Sequence, residues 1–166
     1  LHAGLYYEPN SLKAKVCVEG AKRLKKWIKE RNLPINECGK VIVPQEPFLD
    51  KQLDLLYQRG IDNGANVEIW NEKELKRKCP LVRTSSGRAL WSPNTSVVKS
   101  KLVLKRLERE LREKKVIFKF NENYWKVDPY KKQLSLKNGD IINYSHLINC
   151  AGLRSDKVAQ KFGLAK

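Results

Sequence analysis

Three stretches of this chain repeat their apolar residues every three or four positions, and the remaining apolar residues fall in short runs cut by turn formers. Spacing of the first kind puts one face of a helix in the core, and runs of the second kind suit strands. The first helix is expected over residues 11–32, an amphipathic one with Leu12, Val16, Val18, Ala21, Leu24, Trp27 and Ile28 as its apolar positions, Ser11 as its cap, and Asn32 and Pro34 as its stop. The second carries Phe48, Leu49, Leu53, Leu56, Tyr57 and Ile61, and loosens between Gly60 and Gly64. The third starts near Ser100, presents Leu102, Val103, Leu107 and Leu111, and ends in Lys114-Lys115, as the helix dipole favours.

Strands are expected between and after these helices. Cys38–Val43 and Ala89–Ser92 each run into a proline, Val67–Trp70 is a short extended piece, and Asn71 caps a brief helix from Glu72 to Lys78. Downstream, the run Val116–Phe120 is followed by Tyr124–Val127, Gln133–Leu136 and Ile141–Tyr144, with Asp128-Pro129 and Asn138-Gly139-Asp140 between them. That order predicts a strand and then an antiparallel meander. His146–Cys150 reads as one more strand, entering Ala151-Gly152 and a helix from Ser155 to Phe162. The expected class is therefore α/β (α+β), with a mixed or antiparallel sheet and three main helices.

Composition narrows the function. At 166 residues one core suffices, alone or with a small appendage, and no window approaches the apolar length of a membrane span. A formal charge of +16 favours anionic partners, yet the 34 basic residues are dispersed and lack the aromatic interleaving of a base-stacking surface. A solvated lysine-rich surface is the expectation, with no specific nucleic acid as partner and a membrane surface left open as one. Cys17, Cys38, Cys79 and Cys150 form no CxxC pair and no zinc spacing, so reduced, mostly buried thiols are expected and no metal.

Two segments carry chemistry. In His2-Ala3-Gly4-Leu5-Tyr6-Tyr7 an imidazole and phenols flank small residues that let backbone approach a ligand, although a strand edge with ordinary hydrogen-bonded side chains would look the same. In Leu147–Asp156 an apolar run meets a small-residue turn and a helix start, where amides can receive a phosphate or where Ser155 and Asp156 simply cap. The imidazole of His2 makes it a candidate base, whereas His146, on an apolar run, reads as structural.

These segments, with Asn10–Gly20 (NSLKAKVCVEG) and Cys38–Val43 (CGKVIV), resemble the FAD-dependent oxidoreductases of the D-amino-acid oxidase superfamily, most closely the L-2-hydroxyglutarate oxidase/dehydrogenase group. The resemblance spans essentially the whole chain. It implies a small carboxylate substrate oxidised by hydride transfer to FAD. It places His2 and Tyr6 beside the reacting centre, Gly4 in the flavin-facing loop of residues 1–10, and the turn Cys150-Ala151-Gly152 against the FAD diphosphate. Backbone near Glu122 would meet the adenine. Residues 11–115 would belong mainly to the substrate domain, and residues 116–166 would supply the meander and a return strand-turn-helix of the cofactor domain. In place of the group's Thr-Gly-Ile-Val-Asp-Tyr-Arg this chain has Thr95–Lys101 (TSVVKSK), which opens the choice of acid.

No GxGxxG occurs in these residues; the resemblance puts that turn upstream of Leu1 and further substrate residues downstream of Lys166. The expectation is a single internal segment of a two-domain flavoprotein, inactive alone, with the missing parts of its parent as partners and a cytoplasmic or membrane-peripheral location. The rivals are a flavin oxidase of an amino acid, an amine or glycerol 3-phosphate, and a non-enzymatic basic binding module.

Overall fold

The computed structural model describes residues 1–122 and 124–164, which fall into two compact units divided between Lys114 and Lys115. In the first, α1 (Leu12–Glu30) starts where the Ser11 hydroxyl accepts the Ala14 amide at 3.2 Å, and buries Ala14 and Ile28. Next come β1 (Ile35–Asn36), β2 (Lys40–Ile42), a 3₁₀ turn at Pro47–Leu49, α2 (Asp50–Asp62) and β3 (Glu68–Asn71). Then follow α3 (Glu72–Lys78), β4 (Arg88–Ser92), β5 (Val97–Val98) and α4 (Ser100–Glu113). Asn71 caps α3 by accepting the Glu74 amide at 2.9 Å, as the sequence predicts.

Strands β2, β4 and β3 form an antiparallel sheet with β4 central, and β1 pairs with β5. Alternation along β4 gives this sheet two apolar faces. Leu90, opposite Ile42 and Ile69, packs with Leu53 of α2 and with Ala3 and Leu5 of the N-terminal loop. Ala89 and Trp91 face the other way, toward Trp70, Leu75 and Val82, and the rings of Trp70 and Trp91 stack at 4.8 Å. Each fully buried Leu is worth about 1.5–3 kcal/mol, so the loop is held by the same core as the sheet. Arg88 ties α2 to β4 through Asp50 and Asp54. Asp54 first, and then Asp50, raise its pKa.

The second unit contains the meander β6 (Tyr124–Asp128), β7 (Gln133–Leu136) and β8 (Ile141–Asn143), antiparallel throughout, then a 3₁₀ turn at Gly152–Arg154 and α5 (Ser155–Lys161). Asp128 accepts the Lys131 amide at 3.0 Å in the first hairpin, and Gly139 turns the second with φ 94°. Leu136 is the one buried apolar side chain described here. The architecture is thus the mixed α/β class expected, with antiparallel sheets and five α-helices among the described residues.

Several expectations are corrected. Residues 116–120 and 146–150 form no strand, because no described segment pairs with them and an apolar run without a ladder is not held as one. In the first run Phe118 and Phe120 stack on each other at 5.4 Å instead. His146 is exposed, its Nδ1 3.3 Å from the Ser145 hydroxyl, so it is no core histidine. Arg154, not Ser155 or Asp156, holds the cap position of α5, and it makes no side-chain capping bond. The cysteines are free as expected but not buried. Cys38 and Cys150 are exposed, and Cys17 and Cys79 are half-covered, Cys79 packing at the edge of the cluster of Trp70, Leu75 and Ala89. No described helix is long and apolar enough to cross a membrane.

Candidate functional site

The N-terminal loop is built so that its polar residues face out while its middle is pinned. Ala3, Gly4 and Leu5 are buried, and His2 and Tyr6 on either side are exposed. Two things hold this shape. Gly4 adopts φ 92°, and a Cβ there would come within 2.6 Å of Val18 Cγ2 on α1, so glycine is needed for the loop to lie on the helix. Asn63, the C-terminal cap of α2, donates its side-chain amide to the Gly4 carbonyl at 3.0 Å and the Tyr7 carbonyl at 2.9 Å. One side chain therefore satisfies two carbonyls of the turn.

Around that loop the electrostatics are positive. Lys40 Nζ, at the start of β2, donates to Tyr6 Oη and lies 4.7 Å from the centre of the Tyr6 ring. Arg59 of α2 reaches the Tyr6 carbonyl at 3.4 Å and Glu8 at 3.5 Å. The His2 imidazole has no hydrogen-bond partner among the described residues, while its carbonyl receives the Cys17 thiol at 3.8 Å. A ring nitrogen of His2 is thus available to a ligand. A cleft of about 260 Å³ opens beside Ala3, lined by Val18, Ala21, Lys22, Lys25 and Asn94 among others.

Within the second unit, Cys150, Ala151 and Gly152 are exposed and belong to one turn. Asn149 shapes it, accepting the Ala151 amide at 3.1 Å and donating to the Ser155 carbonyl at 2.8 Å. Gly152 has φ 57°, and a Cβ built on it meets nothing within 4 Å, so the backbone lies open to a ligand. A groove of about 220 Å³ runs along Cys150 and Ala151, floored by Val127, Leu134, Leu147 and Phe162. Such a backbone, bare of side chains beside an apolar groove, fits the approach of a dinucleotide diphosphate and its attached ring. Glu122 sits just before β6, where its carboxylate accepts the Asn138 side-chain amide at 3.5 Å. No grouping of His, Cys, Asp and Glu among the described residues could hold a metal ion.

Sequence reasoning singled out His2, Gly4 and Tyr6, which the structure sets on one anchored loop, and Cys150, Ala151 and Gly152, which it sets on one exposed turn. It missed Asn63, Lys40, Arg59 and Asn149. The Asn63-Gly64 pair signals the end of α2, but nothing local signals a reach back across 59 positions to Gly4.

Comparison with known proteins bears on this geometry. The family model described as FAD dependent oxidoreductase matches residues 1–166. The mitochondrial L-2-hydroxyglutarate dehydrogenase of Caenorhabditis elegans is 33% identical over 174 residues, covering 98% of this chain and 39% of the relative. That of Mus musculus is 32% identical over 178 residues, covering 98% and 38%. The chain spans about two fifths of the length of these relatives. Among solved structures, L-proline dehydrogenase from P. horikoshii superposes with TM-score 0.82 at 14% identity, over 95% of this chain and 43% of that one. FAD-bound L-alpha-glycerophosphate oxidase from Mycoplasma pneumoniae gives 0.79 at 22% identity, over 96% and 44%.

Proposed function

Given that this chain belongs to the family of FAD-dependent oxidoreductases, we propose that it is the substrate-side and partly cofactor-facing portion of an enzyme that oxidises a small 2-hydroxy acid of the L-2-hydroxyglutarate type. The observation that carries this reading is the anchored loop with two outward polar groups, His2 and Tyr6, in a chain similar over nearly its whole length to L-2-hydroxyglutarate dehydrogenases. The proline dehydrogenase and glycerophosphate oxidase likenesses support the fold and leave the substrate to this comparison.

FAD, when bound, supplies the hydride acceptor. The residues of this chain do the rest. A neutral ring nitrogen of His2 takes the proton of the substrate hydroxyl, a role for which an exposed, unpartnered imidazole is suited. Tyr6 donates its phenolic proton to an oxygen of the substrate while its own oxygen is held by Lys40. Asn63 anchors the backbone of the loop that carries both groups, which helps to orient them for the substrate. The exposed backbone at Ala151-Gly152 receives the cofactor diphosphate, and the apolar groove beside Cys150 receives an uncharged part of the cofactor.

The test uses the full-length protein loaded with FAD. Anaerobic L-2-hydroxyglutarate should bleach the flavin, and glycerol 3-phosphate, proline and glycine should not. His2→Gln should lower kcat by about 10²–10⁴-fold with the flavin still bound. Bleaching by glycerol 3-phosphate or an amino acid in place of the hydroxy acid would overturn the substrate, and an unaffected His2→Gln would remove the base.

A further inference from the structure

The turn between β4 and β5 reaches three other elements through three consecutive carbonyls. Asn94 accepts the Lys25 ammonium of α1 at 2.8 Å, Thr95 accepts the Gly39 amide beside β2 at 3.1 Å, and Ser96 accepts the Leu1 nitrogen at 2.5 Å. The Ser96 amide returns a bond to the Leu1 carbonyl at 3.2 Å. Two bonds exchanged between one pair of residues are the close pairing of antiparallel strands, which fixes where the chain enters the N-terminal loop. His2 is the next residue. It therefore stands between two grips, this pairing on one side and the Asn63 amide on the Gly4 carbonyl on the other.

The tie from Lys25 is the one made to this turn by a side chain of another element among the described hydrogen bonds. The Ser92 and Thr95 hydroxyls lie 3.4 Å apart and close the turn on itself, and Gly39 lies so near the Trp91 ring that a Cβ would overlap it. The Lys25 side chain is 17% exposed, with Glu37 3.4 Å from its ammonium as counter-charge and the Asn94 carbonyl taking one of its three donors. Beside the turn lies the cleft of about 260 Å³, whose walls include Ala3, Lys25 and Asn94. A cleft supplies no packed atoms to hold Asn94 from that side, so its place depends on the bond from Lys25.

We propose that Lys25 is a positioning residue for His2: it holds the Asn94 carbonyl, and so fixes the turn that pairs with Leu1 and seats the imidazole that follows. This inference rests on the proposed role of His2 as the base. Without the bond the turn is free to relax toward the cleft and to carry Leu1 and His2 with it. A displacement of about 1 Å at a reacting group costs up to about 10²-fold in rate.

The experiment compares the full-length, FAD-loaded protein with its Lys25→Met, Lys25→Arg, Lys26→Met and His2→Gln variants and with the double variant Lys25→Met/His2→Gln. Lys26 is an exposed lysine of the same helix, 3.8 Å from Glu30, and controls for the lost charge. Flavin reduction by L-2-hydroxyglutarate gives the rate and KM, and hydrogen–deuterium exchange of the oxidised protein reads loop order without turnover. Lys25→Met should slow flavin reduction by about tenfold or more with KM within about twofold, and should speed exchange in residues 1–7 and 92–98 while α2 exchanges as before. Lys25→Arg, which keeps donors for Asn94 and charge for Glu37, should recover most of the loss, and Lys26→Met should change nothing. In the double variant the loss of Lys25 should add nothing to His2→Gln, because both act through one group. Multiplying effects in the double variant, or parental exchange in residues 1–7, would overturn the inference. If His2→Gln reduces flavin at the parental rate while Lys25→Met still loosens residues 1–7, the base role falls and Lys25 stands as the anchor of the loop. If His2→Gln is slow and Lys25→Met is parental in rate and exchange, the inference falls and the base role stands.

Discussion

At the scale of single residues, the loop depends on two polar and steric details rather than on a motif. Asn63→Ala would strip the Gly4 and Tyr7 carbonyls of their shared donor in a part-buried setting, and should cost about 1–3 kcal/mol in urea unfolding of the full-length protein. Asn63→Asp should not rescue it, because a carboxylate has no proton to donate. Gly4→Ala meets both an unfavourable φ of 92° and the Val18 methyl at 2.6 Å, and should destabilise by about 1–3 kcal/mol. His2 and Tyr6 were legible in the sequence because residue type suggested their chemistry. Asn63 and Lys40 were not, since their roles come from contacts 34 to 59 positions away.

At the scale of elements, most boundaries followed from local chemistry. Ser11 and Asn71 announce α1 and α3, and the turn residues around 128–140 announce the meander. Ser11→Ala should lower stability by about 0.5–2 kcal/mol, read from the thermal midpoint. The runs at 116–120 and 146–150 misled because apolar, β-branched composition states a preference, and a strand exists only where a partner offers its ladder. Between α1 and α4 the tie is electrostatic. Arg31 grips Glu110 through both its Nε and Nη2, with Arg106 assisting, and these hydrogen bonds push the Glu110 carboxyl down to about 2. A depressed carboxylate stabilises the fold above its unfolded pKa near 4.5, and that contribution drains away as pH falls toward about 2. Glu110→Gln should therefore be less stable than the parent at neutral pH, and the gap should close across that window in pH-dependent melts.

At the scale of the whole molecule, the two units are unequally endowed. Apart from Leu136, the buried apolar side chains described all lie in residues 1–114. In the second unit Ile117, Ile148, Leu153 and Leu164 are each more than four-fifths exposed. Limited trypsin digestion of residues 1–166 should consequently degrade the segment after Lys115 first and leave residues 1–114 protected; loss of both at one rate would contradict this division. The same 166 residues contain no GxGxxG and should purify colourless, so a stoichiometric flavin spectrum would count against the reading of them as part of a larger FAD site. The tryptophans add a practical dimension. Trp27, Trp70 and Trp91 belong to the first unit, and the rings of Trp70 and Trp91 stack on each other. Two indoles at 4.8 Å couple their transitions, so circular dichroism should carry an exciton couplet from the first unit. The chain brings its own optical label, which will report melting of the sheet that bears Trp70 and Trp91 without any dye.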